Sequence, residues 1–157
     1  MFTMTRTFRL VAICGVLLSG VSRIAAENVA SDAMKNSSGG SGRFYDSKGA
    51  YAGRADASGS TTRLYDARGS YTGRVDRSKD SSRLYDGRGA FSGRAQTSGD
   101  STRWYDSKGT YSGRSTTTGD VTRFYDAKGA YAGRAEKSKG TTRYYDAKGA
   151  YTGSKRK

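Results

Sequence analysis

A seven-residue phrase recurs six times along this chain at a fixed spacing of twenty residues. It reads Arg, a bulky apolar residue, Tyr, Asp, a small residue, Lys or Arg, and Gly, and it continues into a second phrase, as in RFYDSKGAYAG. The copies begin at Arg43, Arg63, Arg83, Arg103, Arg123 and Arg143. A fixed period of this length is typical of repeat architectures, in which each unit packs mainly against its neighbours. Function must then come from a repeated surface or from assembly.

Each repeat predicts one β-hairpin. In the second copy, residues 62–65 and 70–72 alternate polar residues with bulky residues that favour strands. Between them Asp66 supplies an acceptor for local backbone N–H groups, and Gly69 can close a three-residue loop with a bulge. The same structural turn residues recur as Asp46 with Gly49, Asp66 with Gly69, Asp86 with Gly89, Asp106 with Gly109, Asp126 with Gly129, and Asp146 with Gly149.

The loop length also predicts which residues face each other across the hairpin. Tyr65 should face Tyr71, so one face carries aromatic pairs, each of which contributes about 0.2–1 kcal/mol. Leu64 should face Thr72, so the other face carries a bulky residue backed by a small partner. The bulky residues in this position are Phe44, Leu64, Leu84, Trp104, Phe124 and Tyr144.

The remaining residues of the repeat yield two further expectations. Arg63 should lie opposite Gly73, where its guanidinium can cover a neighbouring aromatic ring. The segment after each hairpin, such as Ala55 to Thr62, lacks large apolar residues. It is therefore predicted to be a loop or a loose turn that leads to the next copy.

The fold class predicted from this pattern is all-β. A lone hairpin is marginal in water, so stability must come from stacking of neighbouring hairpins. We expect six tandem hairpins that form a slender solenoid or a twisted antiparallel meander. A closed propeller or barrel is the alternative, although the repeat is half as long as a typical propeller blade. A third possibility is an array that stays disordered until it binds a partner.

Three compositions follow one another along the chain. Residues 1–26 are typical of a secretory signal, with Arg6 and Arg9 before the apolar run of residues 10–21 and small residues at its end. Residues 27–42 are polar and rich in Gly and Ser, which predicts a flexible linker. The repeat array occupies residues 43–157. We therefore expect an exported protein, located in the periplasm, on the cell surface or outside the cell, with no transmembrane span in the mature chain.

The charge of the chain restricts its partners. The formal net charge is +14, and +11 remains from Glu27 onward because the predicted signal contributes three arginines and no acid. Such a balance favours polyanions: an acidic polysaccharide, another anionic polymer of the cell envelope, or nucleic acid. Export makes nucleic acid the less favoured partner. Alternatively, the charge only keeps a β-rich protein soluble and prevents pairing between strand edges.

The chemistry of the chain argues against an enzyme. Histidine is absent, and Cys14, the one cysteine, lies inside the predicted signal. The usual general base and the usual metal ligands are therefore missing. The regular aspartates are explained as turn acceptors. We expect no catalytic residues, no metal site and no cofactor.

The candidate ligand-binding residues are the repeated tyrosines and the arginine that follows each second glycine. They are Tyr45, Tyr51, Tyr65, Tyr71, Tyr105, Tyr111, Tyr125, Tyr131, Arg54, Arg74, Arg94, Arg114 and Arg134. The favoured hypothesis is an exported module that binds glycans by stacking on tyrosine and anionic groups by arginine. The alternatives are a structural or adhesive envelope protein that self-associates, and sequence-independent binding of nucleic acid.

The string GTTRYYDAKGAYTG resembles the YD repeats of Rhs-type proteins over residues 60–153. That resemblance implies an exported β-sheet protein whose repeats bind carbohydrate or enclose a toxin. Six copies are too few to enclose a cargo, so only the binding role is carried over.

The repeat is also similar to the cell-wall-binding hairpins of choline-binding and glucan-binding proteins, in its period and in its Tyr-x-Asp-x-x-Gly turn. That resemblance implies a stacked solenoid with ligands held between hairpins. Its tryptophans are missing except at Trp104, and arginine replaces one of them at Arg54 and later copies. The likeness therefore implies a saccharide or an anionic polymer as ligand, because arginines repel a cation such as choline.

Overall fold

The structure is a computed structural model that describes residues 41–157, and it is built entirely of antiparallel β-strands there. The all-β prediction is confirmed. The predicted signal and all but the last two residues of the predicted linker lie outside the described residues. The strands are β1 Gly42–Asp46, β2 Tyr51–Ser58, β3 Thr61–Asp66, β4 Tyr71–Arg77, β5 Ser81–Asp86, β6 Phe91–Ser98, β7 Ser101–Asp106, β8 Tyr111–Thr118, β9 Val121–Asp126, β10 Tyr131–Ser138, β11 Thr141–Asp146 and β12 Tyr151–Arg156. Within residues 41–157 no helix is long and apolar enough to cross a membrane.

The sheet closes into a barrel. Each strand pairs with its neighbours in the sequence, and β1 pairs with β12, with Phe44 opposite Lys155. The pairing at this seam repeats the register between internal hairpins, where Leu64 lies opposite Ala55. The prediction of an open solenoid or meander was therefore wrong, and the closed alternative is correct. Closure pairs the edge strands that an open array would leave exposed.

The segments predicted as loops mostly continue the strands of the hairpins on either side. Strand β2 runs through Ala55 to Ser58, and Ser58 lies opposite Thr61 across a two-residue turn. Gly59 in that turn has a φ of +56°, which a glycine adopts without strain. Small residues serve in these strands because the inward positions are narrow: Ala55 and Thr62 are both buried. Each repeat therefore contributes two strands and two turns.

A β-bulge shifts the register inside every Asp-containing hairpin. Tyr65 lies opposite Tyr71, as the loop length predicts, but Leu64 lies opposite Gly73 rather than Thr72. Arg63 consequently lies opposite Arg74 instead of Gly73. The extra residue of the bulged strand is Thr72, which is buried together with its neighbouring glycine. The predicted pairing was thus wrong by one residue beyond the tyrosine pair.

The interior of the barrel is filled by the bulky residue that precedes each YD pair. Leu64 lies between Ala55 on one side and Gly73 on the other, so large and small side chains alternate around the barrel. At the seam Lys155 takes the place of the small residue and is buried. The bulky residues are Phe44, Leu64, Leu84, Trp104 and Tyr144, which are buried, and Phe124, which is half-buried.

The two ends of the barrel differ in their turns. One end, here called the Asp-turn end, carries residues 46–50 and the five equivalent loops. The opposite end carries the shorter turns, such as Gly59 with Ser60. Because β1 runs toward the Asp-turn end and β12 runs away from it, Ser41 and Lys157 both lie at the opposite end.

Candidate ligand-binding surface

The repeated aspartates organise the turns at the Asp-turn end. The Oδ1 atom of Asp66 accepts hydrogen bonds from the backbone N–H groups of Arg68 and Ser70, both at 2.9 Å. The N–H group of Gly69 donates to the carbonyl oxygen of Asp66 at 3.1 Å, and this glycine has a φ of +83°. The other five loops repeat the arrangement. These carboxylates are therefore bound to backbone groups of their own loops.

The tyrosine pairs lie on the outside of the barrel in edge-to-face contact. The ring centroids of Tyr65 and Tyr71 are 6.0 Å apart, with an angle of 68° between the ring planes. Across all six pairs the centroid distance stays between 6.0 and 6.2 Å. This geometry is a favoured one for aromatic side chains. The third copy uses Phe91 in place of the second tyrosine, so the pair does not depend on its hydroxyl.

An arginine covers the first ring of each pair and joins neighbouring hairpins. The Cζ atom of Arg54 on β2 lies 4.2 Å from the ring centroid of Tyr65 on β3, its direct cross-strand partner. Arg74 lies 4.1 Å from the centroid of Tyr85 in the same way. The prediction that Arg63 and its equivalents cover the rings is wrong. The bulge places Arg63 opposite Arg74 instead, so the covering arginine comes from the preceding hairpin.

At the seam a different residue supplies the covering arginine. Ser154 lies opposite Tyr45, in the position that arginine occupies in the other repeats. Arg156, two residues further on, places its Cζ atom 4.8 Å from the ring centroid of Tyr45. Aromatic pairs and arginines therefore alternate around the whole circumference. We call this surface the aromatic belt; it comprises Tyr45, Tyr51, Arg54, Tyr65, Tyr71, Arg74, Tyr85, Phe91, Arg94, Tyr105, Tyr111, Arg114, Tyr125, Tyr131, Arg134, Tyr145, Tyr151 and Arg156.

The two rings of a pair differ in their access to solvent. The first ring is half-buried because a guanidinium covers it, as for Tyr65. The second ring is open in five of the pairs: Tyr51, Tyr71, Phe91, Tyr131 and Tyr151 are 38–42% exposed. Among the predicted site residues, the second tyrosines are therefore better placed than the first to stack on a ligand. All thirteen predicted candidates lie on the belt.

Three carboxylates next to the belt were not among the predicted site residues. The Nε atom of Arg54 donates to Asp56 at 3.0 Å, and Arg74 and Asp76 make the same contact. The corresponding distance from Arg134 to Glu136 is 2.6 Å. The sequence does carry a signal for these pairs, because residues two apart on a strand share a face.

These carboxylates also stabilise the charge of their arginines. The Asp56 carboxylate, which accepts a hydrogen bond from Arg54, raises the pKa of that guanidinium above its usual value. The nearby hydroxyl of Tyr51 raises this pKa further. Arg74 has the same neighbours and the same direction of pKa change. The guanidinium therefore stays protonated while it lies over its ring.

The described residues offer few groups for metal chemistry. Within residues 41–157 there is no group of three or more His, Cys, Asp or Glu side chains that could hold a metal ion. The surface can instead stack on flat apolar groups and donate hydrogen bonds to anions.

Comparison with known proteins does not place the chain in a family. No protein-family model matches it, and no curated protein matches it either. The likeness to YD repeats and to cell-wall-binding hairpins therefore remains a resemblance of short motifs.

Proposed function

We propose that this protein is an exported, non-enzymatic module that binds anionic polysaccharides through the aromatic belt. The observation that carries the proposal is the continuous alternation of aromatic pairs and arginines around the outside of the barrel. Such a surface offers apolar contact and charged donors within one side-chain length of each other. A polysaccharide with acidic groups uses both, whereas a neutral sugar or a small anion uses only one.

The exposed rings suit the apolar faces of sugars. The second ring of each pair, such as Tyr51 or Tyr71, is more than a third exposed although it is large and apolar. Aromatic rings carry negative charge on their faces, which attracts the polarised C–H groups of a sugar ring. The edge-to-face contact with the first ring fixes the orientation of the second, so little conformational entropy is lost on binding.

The charge of the protein favours an anionic polymer over a neutral one. The chain carries a net charge of +14, and the arginines of the belt lie between the exposed rings. A positive surface of this kind attracts polyanions and increases the association rate at low salt. A polymer that contacts several repeats also gains avidity, because the second contact is intramolecular once the first has formed.

A binding assay over a panel of polymers tests the proposal. The purified protein would be titrated calorimetrically with polygalacturonate, sulfated dextran, neutral dextran and duplex DNA, and sedimented with peptidoglycan, each at low and high salt. We expect binding to an acidic polysaccharide that weakens with salt but persists, because ring stacking is not screened. Absence of binding to every polysaccharide would refute the proposal.

Two variants separate stacking from charge. Replacing Tyr71 and Tyr131 by Ser removes two exposed rings without changing the net charge, and we expect weaker binding at high salt. Replacing Lys48 and Lys148 at the Asp-turn end by Gln lowers the net charge by two but leaves the belt intact. We expect that second variant to bind almost as well as the parent protein at high salt.

The remaining hypotheses predict other results in the same assays. Equal binding to DNA and every other polyanion, abolished by high salt, would favour charge-driven binding of nucleic acid or any polyanion. Assembly that grows with protein concentration in the absence of polymer would favour a structural or adhesive role. Closure of the barrel leaves the described strands without a free edge, so such assembly would use side chains, such as the exposed rings, rather than strand pairing.

A further inference from the structure

The carboxylates beside the belt are distributed unevenly around the barrel. The residue two positions after each covering arginine is Asp56, Asp76 or Glu136 in three repeats, whereas the repeats between them carry Gln96 and Thr116. In the sheet this residue also faces the arginine of the following strand, as Gln96 faces Arg103. Each acid therefore lies beside two arginines, and each missing acid leaves two arginines without a carboxylate neighbour.

The covering arginines with and without a carboxylate partner differ in exposure and in their distance from the ring. Arg54, Arg74 and Arg134 are half-buried, and their Cζ atoms lie 4.1–4.4 Å from the ring centroids. Arg94 and Arg114, which have no carboxylate partner, are exposed and lie 4.9 and 4.8 Å from their rings. Without the acid, the arginine side chain is more exposed and its guanidinium lies further from the ring.

Four such arginines occupy consecutive strands β6 to β9. We call Arg94, Arg103, Arg114 and Arg123 the acid-free arc. Arg103 lies directly opposite Arg114, and all four are exposed. No ion pair joins any of them to another residue of the described chain. Neighbouring strands are about 4.8 Å apart, so the arc spans roughly 14 Å of the circumference.

We propose that the acid-free arc is the principal anion site of the protein and that it recognises carboxylates spaced along a polyuronate chain. The proposal rests on the proposed function, and it adds the location and the chemistry of the acidic group. In the ligand complex, sugar carboxylates occupy the places beside Gln96 and Thr116. These are the places that Asp56, Asp76 and Glu136 occupy in the other repeats.

The protein itself shows that this position accepts a carboxylate. Three repeats place an Asp or Glu oxygen 2.6–3.0 Å from the Nε atom of the covering arginine. The planar guanidinium offers a fork of donors that matches a carboxylate. Four like charges on adjacent strands also repel one another, so an anion that joins them relieves that repulsion. Phe91 and Tyr131 provide exposed rings at the two margins of the arc.

Installing the missing acids tests the proposal. The variant Gln96→Asp with Thr116→Asp gives the arc an acid at the positions equivalent to Asp56, Asp76 and Glu136. We therefore expect its fold to be unchanged. The control Ser47→Asp with Ala67→Asp makes the same change in net charge on two exposed turn positions outside the arc. Both would be titrated with polygalacturonate and poly-L-glutamate in a calorimeter, and thermal unfolding would verify their structure.

We expect the arc variant to bind polygalacturonate about tenfold or more weakly than the parent protein, because two sets of charge-assisted hydrogen bonds are lost. The control should lose less than threefold, as a change in long-range charge predicts. Equal losses in the two variants would overturn the assignment of the arc. Equal affinity of the parent protein for poly-L-glutamate would overturn the polyuronate as the ligand class.

The reciprocal variant gives a gain of binding. Asp56→Gln with Asp76→Thr removes the acids beside Arg54, Arg63, Arg74 and Arg83 on β2 to β5, which adjoin the arc because Arg83 lies opposite Arg94. The acid-free arginines then run from β2 to β9, and the number of polymer segments bound per protein should rise. An unchanged stoichiometry would count against the arc. If the parent protein binds no acidic polysaccharide at all, the proposed function itself fails, and that outcome is distinct from binding that the arc variants leave unaltered.

Discussion

Two glycines of the third hairpin should respond very differently to substitution by alanine. Gly89 lies in the turn with a φ of +82°, and no atom lies within 4 Å of the position where a Cβ would be. Gly93 lies in the bulge with a φ of +157°, and its Cβ would be 2.6 Å from the carbonyl oxygen of Tyr105 on the next strand. Both substitutions strain the backbone, but only the second forces two strands apart.

The expected costs follow from these geometries. Gly89→Ala should lower the free energy of unfolding by about 1–2 kcal/mol, the cost of a left-handed conformation for an L-residue. Gly93→Ala carries a backbone cost of about 1–3 kcal/mol. A carbon and a carbonyl oxygen normally stay at least about 3.3 Å apart, so β7 must also move by roughly 0.7 Å. Overpacking of this kind costs about 1–3 kcal/mol more.

Urea unfolding followed by circular dichroism and by tryptophan fluorescence measures both costs. Trp104 is the only tryptophan of the chain, lies on β7 and is buried in the barrel, so it reports directly on the strand that must move. We expect Gly93→Ala to cost at least 1 kcal/mol more than Gly89→Ala and to shift the emission of Trp104. Equal costs would refute the reasoning, because they would show that β7 does not lie against Gly93.

Three further predictions concern the turns and the seam. Asp86→Ala should lower the free energy of unfolding by about 1 kcal/mol in urea titrations, because its Oδ1 atom accepts two backbone N–H groups at 2.9 Å; no change would show that the glycine alone shapes the turn. Removing residues 151–157 should leave one edge of β1 and one edge of β11 unpaired and expose Phe44, so that size-exclusion chromatography detects oligomers and a hydrophobic dye binds; a dye-free monomer would contradict the closure. Lys155→Met should raise the melting temperature, because the equivalent positions carry Ala, Val or Ser and a buried ammonium is costly to desolvate; a fall would show that the ammonium contributes more than its burial costs.

The elements of the hairpin could be read from the sequence because each has a local cause. Asp66 and Gly69 define a turn within four residues, and the alternation around Leu64 assigns it to the face opposite Tyr65. Closure could not be read in this way. It depends on twist and curvature accumulated over twelve strands, and no single repeat reports that sum.

The connectors escaped prediction for a related reason. Ala55 to Ser58 carry no large apolar residue, and a strand is normally recognised by such residues. In the barrel these positions face bulky neighbours such as Leu64, so a small side chain is what fits there. The lack of large apolar residues in Ala55 to Ser58 is therefore explained by the narrow interior of the barrel and does not indicate a loop.

The belt was predictable as a set of residues but not as a set of contacts. Tyr65 and Arg54 stand out because they recur at the repeat period. The register between hairpins places Arg54 opposite Tyr65. The register within the hairpin, which the bulge at Thr72 sets, places Arg63 opposite Arg74. Either Thr72 or Gly73 could have faced Leu64 by size alone, so the sequence left the choice open.

The register at the seam makes the twenty-residue unit interchangeable. Because β1 meets β12 as β3 meets β2, a fragment of three repeats would end in two strand edges that complement each other. Two such fragments would join as a symmetric dimer and restore the twelve strands. The contact between such fragments would be intermolecular in the dimer, whereas the six-copy chain makes it within one molecule. A single position can then differ from the equivalent positions, as Gln96 differs from Asp56 and Asp76, without a change in the other copies.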